Sequence, residues 1–219
     1  MLKKVLHVMA MVFVAGAAVG VAQAPRDGIY ITDEDIKAVL KYAADTKRTI
    51  PDNTIRVIDM GSYQLGVAVI HRGRLGGGNA AAAGRGGAPA AAPPPNPQPP
   101  CGEQRAGATG PNGLYHDDTA ETYVVVSGSA TLITGGTIVN GRRSPSDGEV
   151  TTILNGPSCG GTMVGFTTHE IKTGDIIVIP EGVPHGFAAV PDHVTYLSVR
   201  PDLKKVLRRG YVNPALTPR

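Results

Sequence analysis

Tryptophan is absent from this 219-residue chain and no internal repeat is visible, which argues against a β-propeller. The signatures of several enzyme classes are missing as well. There is no GxSxG nucleophile turn, no phosphate-binding P-loop, and no GxGxxG that opens a helix, because "LGGGN" runs on into low-complexity sequence. Only two cysteines occur, Cys101 and Cys159, and no CxxC spacing joins them, so they are not a catalytic redox pair. A strong charge of either sign is lacking too. The formal net charge is +3, and it falls to +1 once the two lysines of the N-terminal segment are set aside, leaving 19 basic against 18 acidic residues. The clusters Lys204–Lys205 and Arg208–Arg209 carry no interleaved aromatics and read as solvated surface, not as a nucleic-acid footprint.

What is present begins with "MLKKVLHVMAMVFVAGAAVGVAQAP": two lysines, an apolar run, then small residues. The run is too short for a comfortable membrane span and ends in an Ala/Gly/Val region. Residues 1–24 therefore read as a signal peptide, with cleavage after Ala22 or Ala24. An uncleaved anchor is the competing reading. Export implies a periplasmic or secreted protein, free of the membrane after cleavage, whose cysteines meet an oxidising compartment. There Cys101 and Cys159 either form a disulfide, tying the end of a Pro-rich segment to the loop "GPSCGG", or remain two separately buried thiols.

Residues 25–53 read as an N-terminal helical arm. "ITDEDIKAVLKYAAD" offers a capping hydroxyl at Thr32, three acids in the first turn, and Ile36, Val39, Leu40 and Ala43 on one face. "TIRVIDM" and "YQLGVAVIHR" alternate as strands, the second placing Tyr63, Leu65, Val67, Val69 and His71 on one face. Residues 73–100 are then almost wholly Gly, Ala, Pro and Arg, with too little apolar surface to offset the entropy of ordering them. They read as a flexible insertion within a domain spanning residues 54–203, because the piece upstream is too small for a core of its own. A C-terminal tail, 204–219, follows.

Beyond the insertion, strand signals recur at short intervals: "ETYVVVSG", "SATLITGG", "EVTTIL", "TMVGFTTHEI", "DIIVIP", "HGFAAV" and "VTYLSVR". The breaks between them carry Gly, Pro, Asn or Asp. Short strands with turn chemistry between them, and no helices, predict an all-β antiparallel barrel or sandwich.

"GLYHDDTAETYVVVSG" followed by "GDIIVIPEGVPHGF" resembles the paired motifs of the cupins, small double-stranded β-helix barrels of jelly-roll type. The second motif keeps Gly174, Pro180, Gly182 and His185 at the family spacing, and the first keeps Glu121 and Gly128. The resemblance covers residues 113–189 and implies the fold more than an activity, since cupins include dioxygenases, decarboxylases, isomerases, sugar-binding regulators and storage proteins. The first motif departs from the family's His-x-His: in the register that keeps His116, Leu114 stands where the first histidine belongs. The family's asparagine four residues after His185 is Ala189 here.

What the resemblance implies is a divalent ion (Fe²⁺, Mn²⁺ or Zn²⁺) held by His116, Glu121 and His185. Two histidines and a carboxylate suit a non-haem iron centre or a catalytic zinc. Converging imidazoles and a carboxylate are costly to bury in an apolar barrel unless they hold a cation or one another. Asp118, two residues from His116, is a further candidate ligand, and Asp117 and Asp118 otherwise read as loop acids. Tyr123 shares a strand face with Glu121 and is a candidate pocket wall and proton donor, while His71 enters the pocket if its face is inward. His169 and His193 lie beside turns and read as surface residues. Three functions stay open: a metal-dependent protein acting on a small organic molecule, such as a dioxygenase-like oxidoreductase; a metal-free barrel binding a sugar or phenolic compound; or a structural protein whose barrel dimerises and whose Pro-rich insertion meets a partner. A homodimer is expected in each case, with residues 25–50 and the chain after Pro201 as arms that cross to the second subunit.

Overall fold

Thr32 starts helix α1 (Asp33–Asp45) as its hydroxyl predicts. Its Oγ1 accepts from the Asp35 amide at 3.2 Å, while Asp35 Oδ2 accepts from the Thr32 amide at 3.1 Å, so two otherwise free N–H groups are satisfied reciprocally. Val39 is fully buried, and Ile36 and Leu40 pack with it against Ile55 and Val69 of the barrel. The computed structural model describes residues 25–76 and 98–217; residues 1–24, read above as a signal peptide, and residues 77–97 of the expected insertion lie outside the described residues.

Ten strands follow the helix: β1 (Asp52–Asp59), β2 (Gln64–Leu75), β3 (Pro100–Cys101), β4 (Asn112–His116), β5 (Glu121–Thr134), β6 (Thr137–Arg143), β7 (Ser158–Val164), β8 (Thr167–Lys172), β9 (Ile176–Ile179) and β10 (His185–Asp202). Their ladders are antiparallel, in the order β1-β2-β10-β4-β7-β6-β3, with β5 pairing β10, β8 and β9. The two long strands β5 and β10 bend through both sheets, which face one another across a shared interior. The fold is thus all-β, an antiparallel jelly-roll barrel, as the motif spacing implied. Its interior holds Ala68, Ile70, Tyr123, Val125, Leu132, Ile179, Phe187, Val194 and Tyr196. Each large apolar side chain buried there contributes about 1.5–3 kcal/mol.

Several elements differ from the sequence reading. "ETYVVVSG" and "SATLITGG" form one strand, β5, bent at Gly128. This residue has φ +78°, and a Cβ there would stand 2.0 Å from the His193 carbonyl, so only glycine fits. The bend shifts the inward positions from Glu121, Tyr123 and Val125 to Ala130 and Leu132. "VPDH" is likewise a bulge inside β10 and not a turn between strands. "EVTTIL" is one turn of π-helix, Val150–Leu154. Here Thr151 Oγ1 bonds the Pro145 carbonyl and Thr152 Oγ1 the Gly148 carbonyl, at 2.7 and 3.0 Å, and these local bonds replace a ladder. "TIVNGRR", which is not among the strand signals read from the sequence, is β6.

The ends of the chain also depart from expectation. Residues 73–75 belong to β2. The tail returns to its own barrel: Leu207 is buried, Val212 bridges to Arg56, and Ala215 and Leu216 pack beside α1. Helix α1 and the tail thus pack on this chain's own barrel, while residues 25–30 of the arm stay exposed. Cys101 and Cys159 form a disulfide pinning β3 near β7, with Cα atoms 6.1 Å apart. For a loop of 58 residues, the constraint on the unfolded chain is worth about 4 kcal/mol.

Candidate metal centre

Three strands bring His116, Glu121 and His185 together. His116 ends β4, Glu121 begins β5, and His185 begins β10, where its backbone pairs with Leu114. The turn "PEGVP" completes the placement: Gly182, at φ +73°, donates its amide to the His116 carbonyl at 2.7 Å, locking the end of β4 to the approach of His185. All three side chains are buried, and one ligand atom from each lies within 4.8 Å of the others.

Each imidazole is oriented by its other nitrogen. His185 Nδ1 lies 3.0 Å from the Val183 carbonyl, which can only accept, so Nδ1 carries a proton. Ser158 donates its hydroxyl hydrogen to the Gly156 carbonyl at 2.8 Å and therefore accepts from His116 Nδ1 at 2.7 Å. In neutral rings both Nε2 atoms are then lone pairs. Both aim at one carboxylate oxygen: Glu121 Oε2 stands 3.3 Å from His116 Nε2 and 3.1 Å from His185 Nε2. Three acceptors converging in a buried site repel one another, and a cation between them removes the conflict.

Two neighbours relieve part of that repulsion. The Tyr123 hydroxyl donates to Glu121 Oε2 at 2.8 Å, and Asn155 Nδ2 donates to His116 Nε2 and to Glu121 Oε1, each at 3.1 Å. The spacing itself fits an ion. Donors bound at about 2.1 Å on adjacent positions stand roughly 3.0–3.4 Å apart, the range of the two N···O separations here.

The second carboxylate oxygen is fully engaged. Glu121 Oε1 accepts from Arg200 Nε at 2.8 Å and Ser198 Oγ at 3.0 Å, besides Asn155. Arg200 is held in turn by Asp52, at 2.6 and 3.2 Å, and by the Leu154 carbonyl at 3.1 Å. Burial works against the Glu121 charge, but Arg200 and the histidine contacts together hold its carboxyl well below the usual range. Burial pushes His116 down, toward the neutral ring that can ligate, with Glu121 opposing. Burial also pushes the Tyr123 phenol well above its ordinary value, aided by the Glu121 charge, so it keeps its proton. With neutral histidines, Asp52, Arg200 and Glu121 leave the cluster one negative charge in excess, which favours a cation.

The remaining candidates fall elsewhere. Leu114, two residues before His116 on β4, shares its face by strand alternation and supplies no ligand. Asp117 pairs with Arg143 at 2.6 Å and Asp118 with Lys204 at 2.5 Å, so neither joins the cluster. The inward face of β2 carries Ala68 and Ile70, which puts His71 outside: its Nδ1 lies 2.8 Å from Thr195 Oγ1, and its ring stacks on His193 at 5.9 Å. His169 is exposed. Asn155, Ser158, Ser198, Arg200 and Asp52 were not legible as site residues. The signal for two of them was the alternation of "TYLSVR", which sets Ser198 and Arg200 on the face of the core residue Tyr196. A cavity of about 340 Å³ flanks the cluster, lined by Leu132, Thr134, Ile179 and Val183 among others, and its size suits a small molecule. Thr134 pairs with His185 and Ile179 with Glu121, although none of the three candidate ligands lines it.

By its own strand pairing and side chains, the protein is a jelly-roll barrel with a buried His-Glu-His cluster. No family model matches the chain, and no curated protein matches it in sequence. Among solved structures it is similar to the protein BH2720 from Bacillus halodurans, at 12% identity over 88% of this chain and 93% of that one, with a TM-score of 0.37. It is also similar to oxalate decarboxylase from Lactobacillus farciminis, solved as a formate complex, at 11% identity over 68% of this chain and 28% of that one (TM-score 0.30). An oxalate oxidase is similar at 13% identity over 87% of this chain and 71% of that one (TM-score 0.33).

Proposed function

We propose that the chain is an exported protein of cupin type that holds one divalent metal ion through His116, Glu121 and His185 and acts on a small organic molecule, with dioxygenase-like oxidation as the reaction class. The observation that carries this reading is the pair of Nε2 lone pairs aimed at Glu121 Oε2, each fixed by a hydrogen bond at Nδ1. Fe²⁺, Mn²⁺ and Zn²⁺ all suit two imidazoles and a carboxylate. An ion held there supplies a Lewis acid for a substrate oxygen or for water.

The chain's own groups do the rest. Arg200 and Ser198 occupy Glu121 Oε1 and leave Oε2 as the single ligating oxygen. Asn155 must release His116 Nε2 before that nitrogen can ligate. Tyr123 holds a proton at its hydroxyl, beside Glu121 Oε2, where it serves as donor to the reacting molecule. The disulfide supports export to an oxidising compartment, and among the described residues no helix is long and apolar enough to cross a membrane. Association as a homodimer belongs to the same reading. Ile176 and Val178, 67% and 66% exposed on β9, are the apolar surface that supports it.

Metal analysis tests the reading. After refilling with Fe²⁺, Mn²⁺ or Zn²⁺, the wild type is expected to hold one equivalent, and His185→Ala and Glu121→Ala to hold almost none. Sub-stoichiometric metal in the refilled wild type would sink it. A second reading, a metal-free barrel that binds a small ligand, is favoured by the full engagement of Glu121 Oε1 by Arg200, Ser198 and Asn155, and it predicts ligand binding that chelators leave unchanged.

A further inference from the structure

The cavity beside the cluster lies where the barrel is open. Among the described residues β8 and β9 pair with β5 and with no further strand, so together they form a free edge of the fold. At that edge the inner faces of the two sheets leave a cleft between them. By pairing and strand alternation, Leu132, Thr134 and His169 occupy the inner face of β5 and β8, and Ile177 and Ile179 that of β9. These five side chains and Val183 are among those that line about 340 Å³, near the lower end of the range for small-ligand pockets.

No lysine, arginine or carboxylate lines the cleft. Leu132, Ile177, Ile179 and Val183 give it aliphatic walls, and Ile179 stands in register with Glu121, which carries the negative charge of the centre. An anion that entered would lose water with no fixed cation to meet it, a cost that a neutral molecule escapes. Two polar groups nevertheless face the space. Thr134 is paired with His185 and so points inward beside it, and among the described residues no hydrogen bond engages its hydroxyl. Thr167 donates its hydroxyl hydrogen to the Thr134 carbonyl at 3.2 Å and accepts from His169 Nε2 at 3.1 Å, so the neutral His169 ring keeps a lone pair at Nδ1. One free hydroxyl and one free acceptor match a ligand hydroxyl, which both donates and accepts.

We propose that this cleft binds an uncharged molecule with a hydrocarbon body and a hydroxyl group, an alcohol or a phenol. Its body lies between Leu132, Ile177 and Ile179, and its hydroxyl meets Thr134. Paired residues of antiparallel strands stand about 5 Å apart at Cα, so a hydroxyl held there is one strand away from His185. That the bound molecule is the one acted on rests on the proposed metal centre. The cleft does not, since none of the three candidate ligands lines it.

Phenol, toluene, benzoate and glucose are titrated into the full chain, as purified and again after chelation, while Ile and Val methyl resonances are followed by NMR. Phenol is expected to bind in both states, to shift the Ile177 and Val183 methyls, and to bind about tenfold or more tightly than benzoate. Thr134→Val keeps the shape of the wall and removes the hydroxyl, so the Kd for phenol rises about three- to tenfold while that for toluene does not rise. Val183→Phe fills the cleft and abolishes saturable binding of both, whereas Val126→Phe, at an exposed position outside the lining, changes neither. Benzoate or glucose binding as tightly as phenol overturns the assignment. So does a Thr134→Val protein that binds phenol like the wild type, or phenol that leaves the Ile177 and Val183 methyls unmoved. If Val183→Phe fails to fold, Thr134→Val and the methyl shifts still decide. Phenol bound by a wild type that takes up no metal sinks the metal centre alone, and a metal-loaded chain that binds no phenol sinks the cleft alone.

Discussion

Replacing Ser158 by alanine removes one hydroxyl and thereby tests the tautomer of His116. In the native arrangement the serine hydrogen is committed to the Gly156 carbonyl, so its oxygen accepts from His116 Nδ1 at 2.7 Å and keeps the Nε2 lone pair free. A buried N–H left without a partner costs about 1–3 kcal/mol. The imidazole has an escape, however: its proton can move to Nε2 and be donated to Glu121 Oε2, 3.3 Å away, once Asn155 Nδ2 withdraws from that nitrogen. The metal-free variant should therefore lose only about 1 kcal/mol. The ion meets the opposite situation, since the proton now occupies the ligating nitrogen, and affinity should fall about 10–100-fold, as for loss of other groups that orient metal-bound histidines. Competition against a chromophoric chelator measures the affinity, urea unfolding measures the stability, and imidazole ¹⁵N shifts identify the tautomer. If His116 moves its proton to Nε2 while metal affinity stays at the wild-type value, His116 is not a ligand and the argument fails.

Arg200→Met leaves Glu121 and Asp52 buried without their shared counter-charge. Breaking such a pair from one side should cost about 3–5 kcal/mol, and a loss below about 1 kcal/mol in urea unfolding would refute the pairing. Acid should weaken the metal-free fold by two routes of the same sign. His116 is held below its ordinary value of 6.5, so stability begins to fall as pH drops below that value, where the unfolded chain takes up a proton that the folded chain refuses. Glu121 is held below 4.5, so the stability it contributes is present above that pH and is lost as pH falls through the folded-state value. Each proton steepens the decline by up to about 1.4 kcal/mol per pH unit; urea midpoints that stay level from pH 7 to about pH 5 would contradict the His116 shift, and midpoints level from about pH 5 to pH 3 the Glu121 shift.

Much of the barrel and the heart of its site were legible because they depend on local spacing. Thr32 caps a helix because a hydroxyl and an acid three residues on can satisfy each other's backbone wherever the helix lies. Gly174, Pro180, Gly182 and His185 mark a turn, a strand end, a second turn and a returning strand, and each step follows from the backbone freedom of those residues. Glu121, His185 and His116, read from that spacing, come together as one buried cluster. Where local chemistry ran in two directions, the reading erred: "EVTTIL" has the β-branched residues of a strand, but its threonine hydroxyls take nearby carbonyls and coil it into a π-turn.

Strand alternation determined that β2 has two faces, Val67-Val69-His71 and Ala68-Ile70-Arg72, both apolar enough to be inward. Only the tertiary structure decided between them, because α1 covers Val69 while the barrel closes over Ala68 and Ile70. The partners of the centre were decided in the same way. Asn155, Ser158, Arg200 and Asp52 lie 34 to 148 residues from the groups they bond, and no local rule relates them. The sequence alone determined a barrel with two histidines and a carboxylate at motif spacing. Strand register, a property of the whole packed sheet, decided that their lone pairs converge and that Arg200 anchors the carboxylate.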